Sequence, residues 1–329
     1  MKILIVCTTS VGDVIFSTPL ARSLKVQVDH LELHYALPST WHLVLEANPY
    51  IDKVVDAESL SLNNISYDVM IDLDQSWYRK VRCLWSKCKY TSYQPHRWEQ
   101  WLMSALKINK LKNVHVADRM LSILDVLNLR HDESGLDYFV PEKGHVPLEW
   151  LPEGFQKEFV VFSITSPYET RKLPVERIIE VCDRINKPVI LIGTEQDATT
   201  GVEVERFFTR NRSGADWEEG LRALGKKAIV YNGCGKFNAN QLASLIKQSY
   251  CLFTFDNDHV PVASAFKKQV FLFLGNTITL FGRYPYKTRF VIMENNKIAC
   301  RPCTSTGHSR CPAGHFKCMK EQVFDFYVN

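Results

Sequence analysis

The chain has 329 residues, 46% of them hydrophobic and 23% charged, with a formal net charge of +4. This composition is ordinary for a folded protein and excludes a disordered chain, while the length favours two domains. No segment reaches the roughly 18 consecutive apolar residues that span a bilayer, and the first residues lack the apolar core of a secretory signal. We therefore expect a cytoplasmic protein, whose ten cysteines serve as thiols or metal ligands rather than disulfides.

The first half of the chain alternates strand-like and helix-like patterns. Continuous apolar runs predict buried parallel strands at 2–7, 31–37 and 67–74. Amphipathic patterns predict helices at 16–27, at 39–47 with Ser39 as a candidate N-cap, and at 117–129. This βαβ series predicts a doubly wound α/β domain over residues 1–150.

A segment rich in proline, glycine and charge, residues 131–157, predicts a linker. The pattern then restarts, with strands predicted at 158–164, 187–193, 227–233, 251–256 and 269–275. Helices are predicted among them, at 173–185, 239–249 and 260–267. Residues 151–329 are therefore predicted to form a second α/β domain with a cysteine-rich tail, facing the first across a cleft.

The turn after the first predicted strand carries one acid, Asp13, next to Gly12. Ligands bind beyond the carboxyl ends of the strands in doubly wound sheets, so chemistry is expected at this turn. Glycine allows a tight turn, and the amides at the start of a helix favour an ionised carboxylate. Position alone leaves two interpretations open: Asp13 serves the chemistry of a site, or it only caps the following helix.

Residues 79–112 carry nine lysine and arginine residues against one acid, Glu99, with tyrosine and tryptophan interleaved. Such a stretch attracts anions, which include phosphates, nucleic acid and an acidic membrane surface. No nucleic-acid-binding motif accompanies it, so we expect no nucleic-acid partner. The alternative is that most of these lysines form a solvated helix face.

Several motifs occur in the same order as in one known family. They are ILIVCTTSVGDVIFSTPLARSLK at 3–25, NPYIDKVV at 48–55, YDVMIDLD at 67–74, TRKLPVERI at 170–178, LIGTEQD at 191–197, FDNDHVPVASAFKKQVFLFLGNT at 255–277 and CPAGHFKCM at 311–319. Together they make the chain resemble the family 9 glycosyltransferases, typified by the ADP-heptose:lipopolysaccharide heptosyltransferases. Each motif is weak alone, and their order across both halves carries the resemblance.

The resemblance implies a GT-B fold, with two Rossmann-like doubly wound domains that bind the acceptor and the sugar nucleotide respectively. It implies an inverting transfer of heptose from ADP-heptose to a phosphorylated inner-core lipopolysaccharide acceptor at the cytoplasmic face of the membrane. Asp13 matches the family's base, which takes the proton of the acceptor hydroxyl. The family chemistry implies no cofactor for catalysis.

The resemblance also implies which residues bind the two substrates. The donor-binding residues would be Thr9, Ser10, Gly12, Thr165, Arg171, Lys172, Gly193, Glu195, Asp256, Asn257, Asp258 and His259. The acceptor-binding residues would be Arg79, Lys80, Arg82 and His115. The guanidinium of Arg171 is able to hold a phosphate with two parallel hydrogen bonds, and a surface charge pair is the alternative for it.

The chain departs from the family pattern at residues 256–261. Asn257 and Asp258 stand where the family has Thr-Gly, and Pro261 stands where it has His. The Asp258 carboxylate would repel a diphosphate unless it is paired. The departure keeps two alternatives open: a different sugar-nucleotide donor or a protein acceptor, and a degenerate member that binds glycan without catalysis.

The C-terminal segment carries four cysteines, Cys300, Cys303, Cys311 and Cys318, in a C-x2-C-x7-C-x6-C pattern. Four thiolates with a close first pair are able to hold zinc or iron in tetrahedral geometry. A metal here would be structural, because the family chemistry does not need one. The alternative is a packed loop of reduced thiols.

Overall fold

A computed structural model describes residues 1–60, 65–210 and 228–328 of the chain. Its strands form two separate parallel sheets, one from each half of the chain, and helices pack against them. The predicted α/β class is therefore confirmed. Among the described residues, no helix combines the length and the apolar character that crossing a bilayer requires.

The first sheet has the strand order β3-β2-β1-β4-β5. Its strands are β1 (Lys2–Val6), β2 (Glu32–Leu37), β3 (Lys53–Asp56), β4 (Val69–Asp72) and β5 (Lys89–Thr91). The strands β1, β2 and β4 are the buried apolar runs that the sequence predicts, and β1 lies between the other two. The short edge strands β3 and β5 are mostly exposed or half-buried, so no apolar run marks them in the sequence.

The described helices of this half are α1 (Val11–Phe16), α2 (Thr18–Gln27), α3 (Trp77–Leu84), α4 (Arg97–Trp101), α5 (Val116–Leu121) and α6 (Ile123–Val126). The predicted helix at 16–27 is divided, because Ser17 ends α1 before α2 begins. The predicted helix at 39–47 is wrong in type. It is a 3-10 helix, Ser39–Val44, and Ser39 does not cap it because Pro38 holds the cap position.

The second sheet has the strand order β11-β10-β9-β6-β7-β8. Its strands are β6 (Val160–Ser163), β7 (Pro188–Ile192), β8 (Ile229–Asn232), β9 (Cys251–Phe255), β10 (Gln269–Leu274) and β11 (Phe290–Glu294). All five predicted strands form, and the half-buried edge strand β11 is additional. The described helices of this half are α7 (Val175–Ile185), α8 (Ala198–Arg210), α9 (Ala239–Gln248), α10 (His259–Ala265) and α11 (Lys317–Lys320).

The two sheets face each other where a doubly wound domain presents its ligands. Each sheet reverses its strand order beside its first strand, β1 or β6, and the crevice at such a reversal binds ligands. Helices α1 and α10, which follow β1 and β9, pack on each other. One buried apolar cluster runs through both halves and includes Val14 of α1 and Val260 of α10. The packed helices therefore hold the carboxyl ends of β1 and β9 opposite one another.

Residues 131–157, the predicted linker, connect the two halves of the chain as a packed segment. Five apolar side chains of this segment are buried: Leu136, Tyr138, Val146, Leu151 and Phe155. The Tyr138 hydroxyl donates to Oδ1 of Asn240 at 3.0 Å, on helix α9. On the other side, the Arg22 guanidinium of α2 pairs with Asp132 and Asp137. The connection therefore contacts both domains, and its proline and glycine content reflects turns rather than mobility.

Candidate active site

A cleft of about 590 Å³ opens beside the carboxyl ends of β1 and β9, and both domains line it. The first domain contributes the turn at residues 9–13, together with Tyr93, Arg97 and Arg119. The second domain contributes Arg171, the loop at residues 256–258, and Arg283. We call this space the interdomain cleft. Its volume is that of a site for a small-molecule ligand.

Asp13 lies at the start of α1, almost fully buried at 2% exposure, and it borders the cleft. Ser10 is in extended conformation and caps the helix, because its Oγ accepts the Asp13 N–H at 3.0 Å. Oδ2 of Asp13 accepts from Thr9 Oγ1 at 2.9 Å, from Ser10 Oγ at 3.1 Å and from Arg283 Nη2 at 2.9 Å. Oδ1 lies 2.8 Å from Arg283 Nη2 but has no hydrogen-bond partner among the described residues. Donors therefore fix Oδ2, whereas Oδ1 is enclosed by protein atoms and lies against the Arg283 guanidinium without a hydrogen bond among the described residues.

Arg283 is a cleft residue that the sequence analysis missed. It follows Gly282, whose φ of +82° favours glycine, and it comes from the other domain, 270 positions after Asp13. Burial alone would lower the pKa of Arg283. The charge of Asp13 and the hydrogen bond to it, with a further contribution from Asp256, outweigh burial and raise that pKa. The only local sequence signal is a glycine–arginine pair after β10, which is too weak to single out.

The loop after β9 carries two of the departures from the family pattern, Asn257 and Asp258, and each has a hydrogen-bond partner. Asn257 Nδ2 donates to Ser163 Oγ at 2.9 Å and to the Thr165 carbonyl at 2.8 Å, so this side chain holds the loop onto β6. Asp258 Oδ1 accepts the Gly12 backbone N–H at 2.8 Å. Asp258 is exposed at the cleft, and the protein atoms around it raise its pKa by removing part of its water. The Gly12 amide opposes this increase, and the neighbouring Asp13 charge adds to it.

The two predicted donor cations have different surroundings. Arg171 lines the cleft, but its nitrogens are engaged: Nε donates to the Thr306 carbonyl at 2.6 Å, and Nη1 donates to the Asp256 carbonyl at 2.7 Å. Its Nη2 lies 3.2 Å from Oδ2 of Asp256. Lys172 points away from the cleft lining and pairs with Asp197 at 3.0 Å. Neither cation has the free donors that a phosphate ligand needs in this arrangement.

Four other predicted donor residues do not line the cleft: Thr165, Gly193, Glu195 and His259. His259 Nδ1 contacts Ser163 Oγ at 2.8 Å, and burial lowers the pKa of His259 to about 4, so the ring is neutral at pH 7. Gly193 packs beside Asp197, and Glu195 is exposed. The structure thus brings Thr9, Ser10, Gly12, Arg171 and the 256–258 loop together around Asp13, and leaves these four outside.

None of the predicted acceptor residues lines the cleft. Arg79 Nη2 contacts Asp72 at 2.9 Å and Asp74 at 2.6 Å, so two carboxylates neutralise its charge. His115 is 2% exposed, its Nε2 contacts the Tyr284 carbonyl at 2.8 Å, and burial lowers its pKa to about 4. Lys80 is exposed on α3 and Arg82 is half-buried there. The structure therefore places these four residues outside the lining of the cleft, and their role in acceptor binding stays a prediction.

Arg119 on α5 is a second cleft cation that the sequence analysis missed. Its Nε, Nη1 and Nη2 donate to the carbonyls of Val114, Pro95 and Phe281 at 3.2, 3.1 and 2.7 Å. The structure shows no ion pair of Arg119 within the described ranges, and its side chain is buried. Carbonyls orient the guanidinium without neutralising it, so Arg119 contributes a positive field to the cleft.

The four C-terminal cysteines come together but do not form a metal site as they stand. Cys300, Cys303, Cys311 and Cys318 line one small cavity of about 50 Å³ and are free thiols. Nevertheless, in the parts of the chain that the structure describes, no three His, Cys, Asp or Glu residues are arranged to hold an ion. The residues therefore do not fit a metal in this arrangement, and the metal stays a prediction.

Comparison with solved structures identifies the fold. A glycosyl transferase family 9 protein of Veillonella parvula DSM 2008 matches with 20% identity and a TM-score of 0.66, over 88% of this chain and 86% of that one. The fold is that of the family 9 glycosyltransferases. E. coli ADP-heptose lps heptosyltransferase II matches at 16% identity and a TM-score of 0.67, over 94% and 93% of the two chains.

A third structure with the heptosyltransferase fold is E. coli heptosyltransferase WaaC with ADP-2-deoxy-2-fluoro heptose. It matches at 14% identity and a TM-score of 0.61, over 97% of this chain and 96% of that chain. The predicted GT-B fold is therefore confirmed over nearly the full length. No protein-family model matches the sequence, and no curated protein sequence matches it either. The likeness is one of fold, carried by the structure rather than by sequence identity.

Proposed function

We propose that the protein is an inverting glycosyltransferase that moves heptose from ADP-heptose to a phosphorylated inner-core lipopolysaccharide acceptor. Asp13 is the general base in this proposal. The observation that carries it is the placement of Asp13, a buried carboxylate beside the interdomain cleft of a heptosyltransferase fold. One of its oxygens accepts hydrogen bonds, and the other accepts none among the described residues. The names of two structures with this fold, an ADP-heptose heptosyltransferase and one with a fluorinated ADP-heptose, support the choice of donor.

The proposed chemistry uses the two oxygens of Asp13 differently. Thr9, Ser10 and Arg283 hold Oδ2, so the carboxylate keeps one orientation. An acceptor hydroxyl that reaches Oδ1, the buried oxygen without a hydrogen bond among the described residues, gives it its proton as the hydroxyl oxygen attacks the anomeric carbon. The bond from that carbon to the diphosphate oxygen breaks with its electron pair, and the configuration inverts. General-base assistance of this kind is worth roughly a hundred- to ten-thousand-fold in rate.

The leaving diphosphate needs positive charge, and two cleft arginines supply it in this proposal. Arg119 is not neutralised by a carboxylate among the described residues. Arg97 is exposed at the cleft, where one Nη2 contact to the Asp74 carbonyl at 3.3 Å leaves most of its donors free. Preorganised cations of this kind stabilise charge that develops in the transition state. The chemistry therefore calls for no cofactor, and a structural zinc or iron at the four cysteines remains a separate prediction, checked by elemental analysis.

The acceptor side rests on an exposed surface near the cleft. We define the basic-aromatic surface as Trp77, Tyr78, Lys80, Trp85, Lys87, Arg97, Trp98 and Trp101, all of which are exposed. Trp77 and Trp85 are 76% and 86% exposed, and Trp98 stacks on Trp101 with ring centroids 4.8 Å apart. Aromatic and basic side chains suit the interface of an anionic membrane. We therefore propose a peripheral location at the cytoplasmic membrane face, where a glycolipid acceptor is embedded.

A second candidate keeps the fold and changes the substrates: a different sugar-nucleotide donor or a protein acceptor. The observation that favours it is Asp258, whose carboxylate occupies the loop position where the family has glycine, within hydrogen-bond distance of the Gly12 amide. A carboxylate at that point alters the charge that a donor phosphate would meet. A third candidate is a degenerate member that binds glycan without catalysis.

The first test is calorimetric titration of the purified protein with ADP, UDP, GDP and CDP. Selective ADP binding supports the proposed donor, and selective binding of another nucleotide supports the second candidate. No binding of any of the four supports the degenerate member. Transfer from ADP-heptose to a lipopolysaccharide core acceptor is then measured in the wild type and in Asp13→Asn, which removes the base at constant volume.

The Asp13→Asn variant should lose roughly a hundred- to ten-thousand-fold in turnover while its ADP affinity stays close to that of the wild type. Asp29→Asn is the matched control, because Asp29 is exposed after α2 and does not line the cleft. Near-normal turnover in Asp13→Asn would contradict the assignment of the base and leave the transferase proposal standing.

A further inference from the structure

Two contacts reach across the interdomain cleft onto the same turn of the first domain. Arg283 Nη2 lies 2.9 Å from Oδ2 and 2.8 Å from Oδ1 of Asp13, and Asp258 Oδ1 accepts the Gly12 N–H at 2.8 Å. Both contacting residues belong to the second domain, and they hold adjacent residues of the first. The candidate base is therefore surrounded by groups from both domains.

Arg283 bears on the orientation of Asp13 more than any other side chain. Thr9 and Ser10 donate only to Oδ2, whereas the guanidinium of Arg283 lies beside both oxygens. A planar guanidinium held at this distance from both oxygens restrains rotation of the carboxylate plane. Within the described parts of the chain, Nη2 is the only nitrogen of Arg283 that makes a hydrogen bond. Its other nitrogens are therefore free to donate to a ligand in the cleft, which Arg283 lines.

Asp258 complements Arg283. Its hydrogen bond fixes the Gly12 amide, which lies one residue before Asp13. A side chain at position 12 would not fit this contact, because a Cβ on Gly12 would lie 2.8 Å from Oδ1 of Asp258. The Asp258 carboxylate also lies close enough to Arg283 to interact with its charge. The residue that departs from the family glycine thus contacts the base turn, which gives the departure a structural role.

We infer that Arg283 is a positioning residue for Asp13. Because Arg283 and Asp258 both belong to the second domain, the position of the proposed base depends on both domains. The inference rests on the proposed function, because it assigns Arg283 to the orientation of the proposed base. Arg283 fixes the plane of the Asp13 carboxylate, so that Oδ1 has one orientation toward the acceptor hydroxyl. No proton passes to Arg283; the proton that leaves the hydroxyl goes to Oδ1.

The experiment compares Arg283→Gln, Arg283→Lys and the control Arg289→Gln. Arg289 lies on the same segment, is exposed and does not line the cleft. In Arg283→Gln we expect kcat to fall about 10- to 100-fold with ADP affinity changed less than about threefold, because a misoriented base slows only chemistry. Arg283→Lys, which keeps a cation but loses the planar guanidinium fork, should restore part of kcat.

A role in folding alone would not separate kcat from ADP affinity and would show no rescue by lysine. That result, or an unchanged kcat in Arg283→Gln, overturns the inference. A double-mutant cycle of Arg283→Gln and Asp13→Asn, followed by thermal unfolding, tests the contact without any assay of transfer. We expect the double variant to be destabilised by less than the sum of the single variants. Strict additivity overturns the contact. If the wild type transfers no sugar but the cycle shows coupling, the proposed function is overturned, and with it the role of Arg283. The contact between Arg283 and Asp13 is then still supported.

Discussion

Arg79 and Arg119 are both largely buried arginines of the first domain, but their partners differ. Arg79, a predicted acceptor residue, faces two carboxylates, Asp72 and Asp74. Arg119, which no motif indicated, faces only backbone carbonyls. A carboxylate cancels the charge that a ligand would meet, whereas a carbonyl orients the guanidinium and leaves the charge in place. Partners, rather than residue type, decide which arginine is available to an anionic substrate.

The largest expected effect comes from Arg79→Gln, and it is an effect on stability. The variant leaves the Asp72 carboxylate, which is fully buried, without its cation. Breaking a buried pair in this way costs about 3 kcal/mol or more of the free energy of unfolding. Urea denaturation measures the change, with Lys80→Gln on the exposed side of α3 as the control. A large loss of nucleotide affinity with unchanged stability in Arg79→Gln would reverse the comparison with Arg119.

A second test uses His115, the other predicted acceptor residue found inside the protein. Its pKa of about 4 in the folded state lies below the ordinary value of about 6.5, because burial disfavours the charged ring. The unfolded chain therefore binds the proton first. The contribution of His115 to stability is complete above about pH 6.5 and is lost as pH falls toward 4, by about 3 kcal/mol.

The variant His115→Gln should therefore flatten the decline in unfolding free energy between pH 6.5 and 4. It should do so only in part, because His259 also has a pKa of about 4. His131→Gln is the matched control, since His131 is exposed. Denaturant titrations across this pH range measure the slope. An unchanged slope in His115→Gln would show that the ring is not neutral and buried as described, and would return His115 to the candidate binding residues.

The third prediction concerns Arg119 and the binding of nucleotide. Arg119→Gln removes the cleft charge that no carboxylate of the described residues balances, so ADP affinity should fall about 10- to 100-fold. Calorimetry measures the change, and Arg119→Lys, which keeps the charge, should retain much of the affinity. Arg130→Gln is the control, because Arg130 is exposed and lies outside the cleft lining. Equal affinity in Arg119→Gln and wild type would remove the distinction drawn between Arg119 and Arg79.

These results also show what a sequence specifies. The central strands β1, β4, β6 and β9 are buried on both faces, so continuous apolar runs reveal them, whereas the edge strands β3, β5 and β11 do not bury a full run. Asp13 is found because its turn follows such a strand. Arg283 is not found from the sequence, because its partner Asp13 lies 270 positions away and only the packing of the two domains brings the two residues together. A local pattern cannot predict which charges tertiary contacts neutralise.

The smallest expected effect concerns the basic-aromatic surface, whose tryptophans and lysines are exposed. If the basic-aromatic surface docks on a membrane, the double variant Trp77→Ser/Trp85→Ser should bind vesicles containing phosphatidylglycerol about tenfold less tightly, because two exposed indoles no longer enter the interface. Co-sedimentation measures the bound fraction. Trp150→Ser is the matched control, since Trp150 is 72% exposed but lies outside this surface.

Salt and lipid charge separate this docking from its alternative. Binding through Lys80, Lys87 and Arg97 should weaken as ionic strength rises and should be lost on phosphatidylcholine vesicles, which carry no net charge. If the wild type ignores the anionic vesicles but associates with itself, and the tryptophan variant does not, the surface joins copies of the chain. In that case the exposed cations would contact another copy rather than lipid, and in this domain Arg119 and its cleft neighbours would be the cations that serve a ligand.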